Sequence, residues 1–370
     1  MMKKSGLSLS IRENVPLAPF TTLGVGGPAR FLANIKHEDQ IADALEFARV
    51  RACPLFILGG GSNIVVSDSG FQGLVVRMEI RGLQHLDGEN GGLISVAAGE
   101  NWDGFVERCV ELNLAGLECL SGIPGTVGGA PVQNIGAYGE EVSNAILSTR
   151  VFDRESESFE ELSGTDCRFE YRSSIFNTTQ RDRYIIIKAA FALRPYGKPQ
   201  IQYPDLQYQF SDRSKIPTVR EVRRAVLQIR ESKGMVLNAV QNDLKSAGSF
   251  FKNPVLDPEK VVAVENRARD RGVLGPSETL PRFAAPAGME KLPAAWLVEH
   301  AGFKKGFTLG NVGISPKHSL AFINHGGAET VELISLMKKV QEKVYSDFGV
   351  LLKPEPTFIG FDKSFDDIKT

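Results

Sequence analysis

Apolar and polar residues change their spacing along this chain, and each change marks a predicted element. Residues 38–51 repeat apolar side chains on one helical face, which predicts an amphipathic helix. The short apolar run 54–58 is typical of a buried strand and ends directly on Gly59. The first part of the chain therefore predicts an α/β unit whose strand leads into a glycine loop.

Strand signals dominate between residues 74 and 215. Runs rich in valine, isoleucine and aromatic residues predict strands at 74–78, 93–97, 146–152 and 184–193. One helix, 101–112, interrupts them and turns Trp102 and Phe105 inward. This region is expected to be an α+β domain with glycine-rich loops leading out of the helix.

Helix signals return beyond residue 217. Thr218 and Glu221 fit a capping box, and Gly234 fits the end of that helix. Further helices are predicted at 258–271, 293–301 and 329–348, the last with Val331, Ile334, Val340 and Val344 inward and Gly349 at its end. The stretch Gly275–Met289, with three prolines and two glycines, is expected to be an exposed loop insertion.

Length and composition bound the architecture. A chain of 370 residues exceeds what one hydrophobic core usually organises. We expect an α+β protein of three domains, namely residues 1–77 completed by the tail 357–370, residues 78–217, and residues 218–356. The formal net charge of −1, with both signs interspersed, argues against a basic nucleic-acid surface and a polybasic membrane patch.

Cysteine usage and the start of the chain suggest a location. The four cysteines form no CxxC pair and no ligand-spaced cluster with the five histidines, so we expect neither disulfides nor a metal site. No apolar run has the length of a signal peptide or a membrane span. The protein is therefore expected to be soluble and cytoplasmic, with no membrane partner.

The segment Gly59-Gly60-Gly61-Ser62-Asn63 follows the predicted buried strand. Glycines allow positive φ and close approach to a ligand, and successive N–H groups form a nest suited to a pyrophosphate. It is neither a Walker loop nor a GxGxxG turn opening a helix, since Ile64 resumes strand character. Taken alone, the segment fits a phosphate site and a plain tight turn equally well.

A second glycine-rich stretch runs from Ser121 to Gly139, with six glycines in the eighteen residues from Gly122 onward. Loops of this composition in a compact domain usually wrap a ligand. Apolar Ile123, Val132 and Ile135 lie between the glycines. The two stretches together suit a long ligand with one anionic end and one flat apolar end.

Three further segments carry reactive side chains. Ser249 lies beside Gly248 and two phenylalanines, but the segment is not a G-x-S-x-G elbow. Arg172, flanked by aromatic residues, suits carboxylate recognition, and Glu355 is held between two prolines. Taken alone, each also fits an ordinary role: a buried turn serine, a strand-edge ion pair and a linker.

These motifs occur in the order found in the UDP-N-acetylenolpyruvoylglucosamine reductase family, in its subtype with a tyrosine loop. The chain resembles that family from about Pro19 to Ile359. The resemblance implies an FAD-binding fold of the vanillyl-alcohol-oxidase type, with two α/β subdomains, followed by a C-terminal α+β substrate-binding domain. The first two predicted domains would be the FAD-binding subdomains, and 218–356 the substrate-binding domain.

The resemblance also implies an enzyme with non-covalent FAD as cofactor and NADPH as co-substrate. Such an enzyme reduces the enolpyruvyl group of UDP-N-acetylglucosamine enolpyruvate to UDP-N-acetylmuramate, for peptidoglycan precursor synthesis, with hydride from flavin N5. The residues matched to cofactor-binding motifs are Gly59, Gly60, Gly61, Ser62, Asn63, Ser121, Gly122, Ile123, Pro124, Gly125, Thr126, Gly129, Val132, Ile135 and Gly136.

Three residues match the family's catalytic positions. Ser249 matches the serine that protonates the carbon next to the one receiving hydride, because an enolate carbon is basic enough to take a hydroxyl proton. Arg172 and Glu355 match the pair that holds the substrate carboxylate and stabilises the enolate. The matched substrate-binding positions are Tyr138, Tyr203, Lys233, Asn253 and His318.

Some features depart from the family or leave an alternative open. The chain has Lys233-Gly234-Met235 where the family usually has Lys-Leu-Pro. An FAD-dependent oxidase or hydroxyacid dehydrogenase of the same flavin fold is the competing hypothesis. Many of those tether the flavin through a histidine or cysteine, whereas the nearest histidine upstream of Gly59 is His37. We therefore expect a dissociable FAD, a small nucleotide-sugar substrate, no nucleic-acid partner and a monomer.

Overall fold

The structure is a computed structural model, and it describes residues 9–88, 91–211, 215–236 and 245–362. The chain divides into two compact units. Unit 1 comprises Met1–Val15, Ala29–Gly61 and Gln72–Asn238, and unit 2 comprises Pro16–Pro28, Ser62–Phe71 and Ala239–Thr370. The division falls inside the first glycine segment, between Gly61 and Ser62. The three-domain boundaries stay a prediction, and residues 363–370 of the predicted tail lie outside the described residues.

Seven α-helices occur in the described residues: α1 Gln40–Val50, α2 Trp102–Glu111, α3 Pro204–Gln209, α4 Val219–Ser232, α5 Pro258–Asp270, α6 Ala294–His300 and α7 Thr330–Phe348. All of the helices predicted from the hydrophobic pattern are among them. In these residues no helix is long and apolar enough to cross a bilayer.

The helix ends follow from their capping residues. The Thr218 hydroxyl accepts from the Glu221 N–H at 3.2 Å, and the Glu221 carboxylate accepts from the Thr218 N–H at 2.7 Å, so the predicted capping box is confirmed. Helix α7 ends at Gly349 with φ +71°, a left-handed conformation that favours glycine. The prediction for Val331 was wrong: it is 60% exposed in the first turn of α7, where Thr330 and Leu333 form the buried face.

The strands are β1 Ile11–Pro16, β2 Pro28–Ile35, β3 Leu55–Leu58, β4 Ile64–Val66, β5 Phe71–Met78, β6 Leu83–His85, β7 Leu93–Ala97, β8 Leu114–Ala115, β9 Gly136–Ala137, β10 Glu140–Glu141, β11 Ile146–Asp153, β12 Ser158–Ser163, β13 Tyr184–Ala192, β14 Arg194–Pro195, β15 Lys245–Ser249, β16 Val255–Leu256, β17 Phe283–Ala284, β18 Glu290–Lys291, β19 Thr308–Leu309, β20 Val312–Ile314, β21 Ala321–Asn324 and β22 Thr357–Ile359.

Unit 1 is organised by two sheets. A four-stranded sheet has the order β1-β2-β5-β3, with β3 parallel to β5. A five-stranded sheet has the order β12-β11-β13-β7-β6, and its paired neighbours are antiparallel. Helix α2 packs on the second sheet through Trp102 and Phe105, whose rings lie 6.2 Å and 4.8 Å from the ring of Phe191. Two short antiparallel pairs, the hairpin β9–β10 and the long-range pair β8–β14, lie beside this core.

Unit 2 has a core of stacked phenylalanines. Its four-stranded sheet has the order β15-β21-β20-β19, and a parallel pair joins β22 to β4. Phe250, Phe251 and Phe322 are buried together, with the rings of Phe250 and Phe322 stacked 4.4 Å apart. Helices α5, α6 and α7 cover this core with apolar side chains. The C-terminal strand therefore completes a β-pair that starts immediately after the first glycine segment.

The insertion Gly275–Met289 is more ordered than its composition predicted. Strand β17 lies within it and pairs with β18, which also pairs with β16. Leu280 is buried, and its N–H donates to the buried Glu265 carboxylate at 2.8 Å. Most of the other residues in the segment are exposed, as predicted, and the departure from the expected loop is confined to the buried Leu280 and the short strand β17.

Candidate functional site

The first glycine segment meets the second through backbone contacts inside unit 1. Strand β3 ends at Leu58, immediately before Gly59 as predicted, and Gly61 takes φ +64°. A Cβ added to Gly59 would lie 2.8 Å from Thr126 Oγ1, and one added to Gly60 would lie 2.7 Å from the Cα of Gly125. Any side chain at Gly60 would therefore push the two loops apart.

Hydrogen bonds to helix α2 hold the second glycine stretch in place. Trp102 donates its indole N–H to the carbonyl of Leu120 at 3.0 Å, and its backbone N–H donates to Gly125 at 3.2 Å. The Gly122 N–H donates to Asp103 Oδ1 at 2.5 Å. Helix α2 thus fixes both ends of the turn that contains Ile123 and Pro124.

Ser121 and the residues after Thr126 are bound to the fold by hydrogen bonds. The buried Ser121 hydroxyl donates to the carbonyl of Glu118 at 2.7 Å. The N–H groups of Val127 and Gly128 donate to Glu100 and Ala98. A Cβ on Gly128 would lie 2.6 Å from the Ala98 side chain, whereas Gly129 is exposed and has Thr126 as its nearest neighbour at 3.7 Å.

These contacts fit the demands of a dinucleotide flavin. Two glycine loops adjoin with no side chain between them at Gly60, so backbone N–H groups can approach a pyrophosphate. Half-buried Ile123 and Val132 and buried Ile135 supply apolar surface from the same stretch. The predicted cofactor residues Gly59, Gly60, Gly125 and Thr126 therefore lie together in unit 1, and Ser62 and Asn63 belong to unit 2.

Arg172 lies against the end of the second glycine stretch. A two-bond turn between Glu170 and Ser173 places Arg172 at φ +54°, and Ser174 caps the following turn. The Arg172 guanidinium donates to the carbonyl of Gly136 at 2.8 Å and lies 5.4 Å from the ring centre of Tyr171. The strained backbone and the aromatic neighbour point the cation at the end of the second glycine stretch.

The predicted substrate-binding residues of unit 1 form a cluster. The rings of Tyr138 and Tyr203 meet edge to face at 5.3 Å, and the Lys233 ammonium lies 5.9 Å and 6.0 Å from their centres. Lys233 also pairs with Asp205 at 2.8 Å. Partial burial opposes the charged form, but Asp205 outweighs it and raises the pKa of Lys233. A cation bounded by two aromatic faces is suited to an anionic ligand that carries a ring.

Sequence reasoning missed three polar residues of unit 1. Asp103 anchors Gly122 and is itself held by Arg223 through two hydrogen bonds, at 2.6 Å and 3.0 Å. Arg230 is buried beside Gly122, with its Nε 3.1 Å from the position of a Cβ on that glycine, and burial lowers its pKa. Arg230 precedes Lys233 by three residues on α4, so helical spacing was the available signal for it. No motif pointed to Asp103.

In unit 2 the structure brings the predicted cofactor residue Asn63 to the predicted catalytic residue Glu355. The Asn63 side-chain amide donates to the carbonyl of Glu355 at 3.3 Å, and the Thr357 N–H donates to the carbonyl of Asn63 at 2.9 Å. The parallel pairing of β22 with β4 continues these contacts. The Pro-Glu-Pro segment is therefore a fixed part of the fold.

Ser249 lies in the same unit, one residue before the backbone that binds Glu355. Strand β15 pairs with β21 at Ser249 and Ala321, after a register shift at Gly248, whose φ is +74°. The N–H of Glu355 donates at 2.8 Å to the carbonyl of Phe250, which is the residue after Ser249. The buried rings of Phe250 and Phe251 hold this backbone in place. Ser249 is half-buried at the end of the strand.

Asn253 and His318 have partners within unit 2. Asn253 Oδ1 accepts from the Ala294 N–H at 2.9 Å, at the start of α6. His318 Nδ1 accepts from the Leu320 N–H at 3.1 Å, in the turn before β21. Asn253 thus lies at the start of α6, and His318 lies just before β21, the strand that pairs with β15. Among the described residues no group of His, Cys, Asp and Glu could hold a metal ion, and all four cysteines are free thiols.

Comparison with family models divides the chain into two known modules. Residues 29–160 match a family model described as an FAD binding domain. Residues 239–359 match a model described as the C-terminal domain of UDP-N-acetylenolpyruvoylglucosamine reductase. The α+β fold with a flavin-binding module and a distinct C-terminal domain, expected from the sequence, is confirmed by these matches.

Curated relatives extend the similarity over nearly the full length. The UDP-N-acetylenolpyruvoylglucosamine reductase of Thermobifida fusca is 42% identical over 358 residues, covering 96% of this chain and 99% of its own. The protein of that name from Neisseria meningitidis serogroup B is 38% identical over 352 residues, covering 94% and 97%. The crystal structure of UDP-N-acetylenolpyruvylglucosamine reductase from Thermus caldophilus has a TM-score of 0.63 at 24% identity and covers 95% of this chain and 99% of its own, which shows a shared fold.

Proposed function

The chain belongs to the UDP-N-acetylenolpyruvoylglucosamine reductase family, and we propose that its own residues carry out each part of that reaction. It is a flavoprotein oxidoreductase of peptidoglycan precursor synthesis that uses FAD to reduce the enolpyruvyl group of UDP-N-acetylglucosamine enolpyruvate. The predicted family and reaction class are confirmed by this membership. The roles of individual residues, the reductant and the assembly state belong to the proposal.

Both glycine stretches bind FAD. Backbone N–H groups from Gly59 to Asn63 and those of Gly125 and Thr126 bind the pyrophosphate, because Gly60 and Gly125 meet without a side chain between them. Ile123, Val132 and Ile135 contact the apolar part of the cofactor. When bound, FAD supplies the hydride for the enolpyruvyl double bond.

Ser249 donates the proton that completes the reduction. Its hydroxyl is a weak acid, but the carbon next to the carboxylate becomes basic as the enolate forms. The register shift at Gly248 and the paired phenylalanines fix the hydroxyl at a strand end, so little reorganisation is needed at the moment of transfer. Ser249 directly precedes Phe250, whose carbonyl accepts a hydrogen bond from the Glu355 N–H. This arrangement is the single observation that best supports the proposal.

Arg172 and Glu355 act on the substrate carboxylate. The Arg172 guanidinium stabilises the negative charge that grows on the carboxylate as the enolate forms, an effect of about 3–4 kcal/mol for one donor. Glu355 assists only when it is protonated or hydrogen-bonded to the enol oxygen, since two carboxylates would repel. Both residues orient the substrate so that the proton from Ser249 reaches a defined carbon.

The cluster of Tyr138, Tyr203 and Lys233 grips the nucleotide-sugar part of the substrate. Lys233 supplies a cation for the diphosphate, and Tyr203, at the start of α3, lies over it. Asn253 and His318 complete the contacts to the sugar. Asp205 keeps Lys233 charged until the diphosphate replaces it as the partner.

One anaerobic assay tests the proposed function against the competing oxidase. NADPH is expected to bleach the flavin absorbance of the purified protein, and the enolpyruvyl nucleotide is expected to restore it, whereas oxygen restores it slowly. Because both ligands use the flavin in turn, initial rates should follow ping-pong kinetics. Rapid re-oxidation by oxygen together with no re-oxidation by the nucleotide would show an oxidase instead.

The remaining parts of the proposal concern setting and assembly. We expect NADPH to be used in preference to NADH, which competition between the two reductants measures. We expect a cytoplasmic monomer, because NADPH and nucleotide sugars are cytoplasmic metabolites and the four cysteines are free thiols. Sedimentation of the flavin-loaded protein distinguishes a monomer from a dimer.

A further inference from the structure

The carboxylate of Asp103 joins the second glycine stretch to helix α4. Asp103 Oδ1 accepts from the Gly122 N–H at 2.5 Å. The guanidinium of Arg223, on α4, donates to Asp103 Oδ1 at 2.6 Å and to Oδ2 at 3.0 Å. Arg223 is 8% exposed, so this two-bond ion pair is shielded from water. The carboxylate therefore links the turn at Gly122 to a helix that is distant in the sequence.

The turn is also packed directly against α4. Gly122 is buried and takes φ +72°, and a Cβ added to it would lie 2.9 Å from Leu227 Cδ2 and 3.1 Å from Arg230 Nε. Arg223, Leu227 and Arg230 recur at helical spacing, so they lie on one face of α4. The start of the turn is thus both bounded by this helix face and bonded to it through Asp103.

The hydrogen bonds divide the N–H groups of this turn into two sets. The Gly122 N–H is already bound to Asp103. Within the described residues, the N–H groups of Ile123, Gly125 and Thr126 donate to no protein acceptor. These groups are therefore available to the oxygens of an anion. The position of Gly122 determines where the unused donors of the turn point.

A carboxylate beside an anion-binding turn would repel the anion unless its charge were balanced. Arg223 balances the charge of Asp103 through two hydrogen bonds, and Arg230 lies beside the same glycine. The exposed carboxylate of Glu107 also faces Arg223, at 3.4 Å, but the Gly122 N–H donates to Asp103 alone. Asp103 thus holds the turn, and Arg223 prevents its charge from opposing a pyrophosphate.

We propose that Asp103 and Arg223 form a clamp that sets the affinity for FAD, by fixing the turn at Gly122 and by neutralising the carboxylate beside it. Both are positioning residues, since they act through the backbone of the turn. That the turn binds the FAD pyrophosphate rests on the proposed function. The clamp extends the cofactor site to α4, the helix that ends at the predicted substrate-binding residue Lys233.

FAD titration of the full-length protein tests the clamp. D103N removes the charge that both donors bind, so the Kd for FAD should rise on the order of tenfold. R223Q should raise the Kd by a similar factor, because it leaves the Asp103 charge unbalanced. Since the two residues act as one unit, D103N/R223Q should raise it no further than either single change. E107Q is the matched control: it removes the other carboxylate that faces Arg223 and should leave the Kd unchanged.

Visible circular dichroism of the bound flavin separates positioning from a general loss of stability. At saturating FAD the flavin bands should change in D103N and stay as in the wild type in E107Q, because only the first change moves the turn. R223K keeps the positive charge but loses the two-bond geometry, and its Kd should lie between those of the wild type and D103N. This milder variant decides the question if D103N does not fold.

A Kd that is unchanged in D103N, or in R223K where D103N does not fold, would overturn the clamp. Effects of D103N and R223Q that multiply in the double variant would also overturn it, because they would show two independent roles. In both cases the wild type still binds FAD, so the proposed function stands. Failure of the wild type to bind FAD would instead contradict the proposed function, and the clamp with it.

Discussion

In unit 1 the two glycine stretches approach each other through backbone at Gly60 and Gly125, whereas in unit 2 Ser249 is placed by the aromatic side chains that follow it. Gly60 meets Gly125 where no Cβ would fit. Ser249, by contrast, precedes Phe250 and Phe251, which are both almost fully buried in a core shared with Phe322. The shape of the glycine region depends on residues that have no side chain, and the shape of the Ser249 region depends on large buried side chains.

The difference explains how each region can fail. A backbone site is damaged by any added atom, since its walls are other backbone segments that cannot repack. A site placed by packing tolerates changes at its exposed residues but loses its register when a buried ring is removed. In unit 2 the reactive residue and the buried residues that position it are therefore different, so Ser249 can be changed without altering the core.

Removal of the Ser249 hydroxyl should have the largest effect. In S249A, reduction of the enolpyruvyl nucleotide is expected to fall about 10²–10⁴-fold, the usual contribution of a positioned proton donor. Flavin bleaching by NADPH should be preserved, because the variant leaves the glycine stretches intact. Stopped-flow measurement of the two half-reactions separates these effects, and loss of both would show that Ser249 has another role.

Removal of a buried ring should affect unit 2 through its packing. F250A is expected to lower the free energy of unfolding by about 3–5 kcal/mol, because the stacked contact with Phe322 is lost and a cavity remains. V331A, which removes an exposed apolar side chain from α7, should change it by less than about 0.5 kcal/mol. Chemical denaturation measures both, and equal effects would show that the core does not depend on Phe250.

The anchor of the glycine stretch should depend on pH. Burial works against the ionised form of Asp103, but Arg223 and the Gly122 N–H outweigh it and lower the pKa of this carboxyl. Asp103 therefore stabilises the fold above the usual carboxyl value of 3.8, and this contribution is lost as pH falls through the lowered pKa.

D103N should accordingly cost about 1.5–3 kcal/mol near neutral pH, the range for hydrogen bonds to a charged group. The difference from wild type should shrink in strong acid, where the wild-type carboxyl also becomes neutral. Thermal unfolding measured against pH checks this, with D270N at the exposed end of α5 as the control. A difference that is constant with pH would show that the charge of Asp103 is not involved.

A single methyl group at Gly60 should give the smallest change in stability but a specific one. G60A places its Cβ 2.7 Å from the Cα of Gly125, so a cost of about 1–3 kcal/mol and weaker FAD binding are expected. G104A makes the same change inside helix α2, where the nearest atom is 3.4 Å away, and should be neutral or stabilising. FAD titration of both proteins makes the comparison, and unchanged affinity in G60A would contradict a backbone site.

The regular elements of both units were largely predictable from local patterns. Helix α4 was predicted from Thr218 and Glu221, and both capping bonds are present. Strand β3 was predicted from a short apolar run that ends on Gly59. The prediction failed at Val331, because the polar Thr330, together with Leu333, occupies the buried face of that turn and leaves the apolar Val331 exposed.

Site residues that belong to a sequence motif were predictable. Site residues that reach the site only through tertiary packing were not. The glycine stretches, Ser249 and Arg172 could be identified because their residue types and order are distinctive. Asp103 and Arg230 lie on regular helices and contact Gly122 only after the chain folds.

The sequence by itself determined which residues need special backbone freedom, which carry a reactive group, and which family they belong to. These properties belong to single residues and their neighbours, so they can be deduced without coordinates. Only the tertiary structure decided that Gly60 lies against Gly125 and that Glu355 is bound to the backbone of Phe250. Such contacts join residues far apart in the chain, and they form because burial of the apolar side chains around them leaves one arrangement in which the backbone hydrogen bonds are also satisfied.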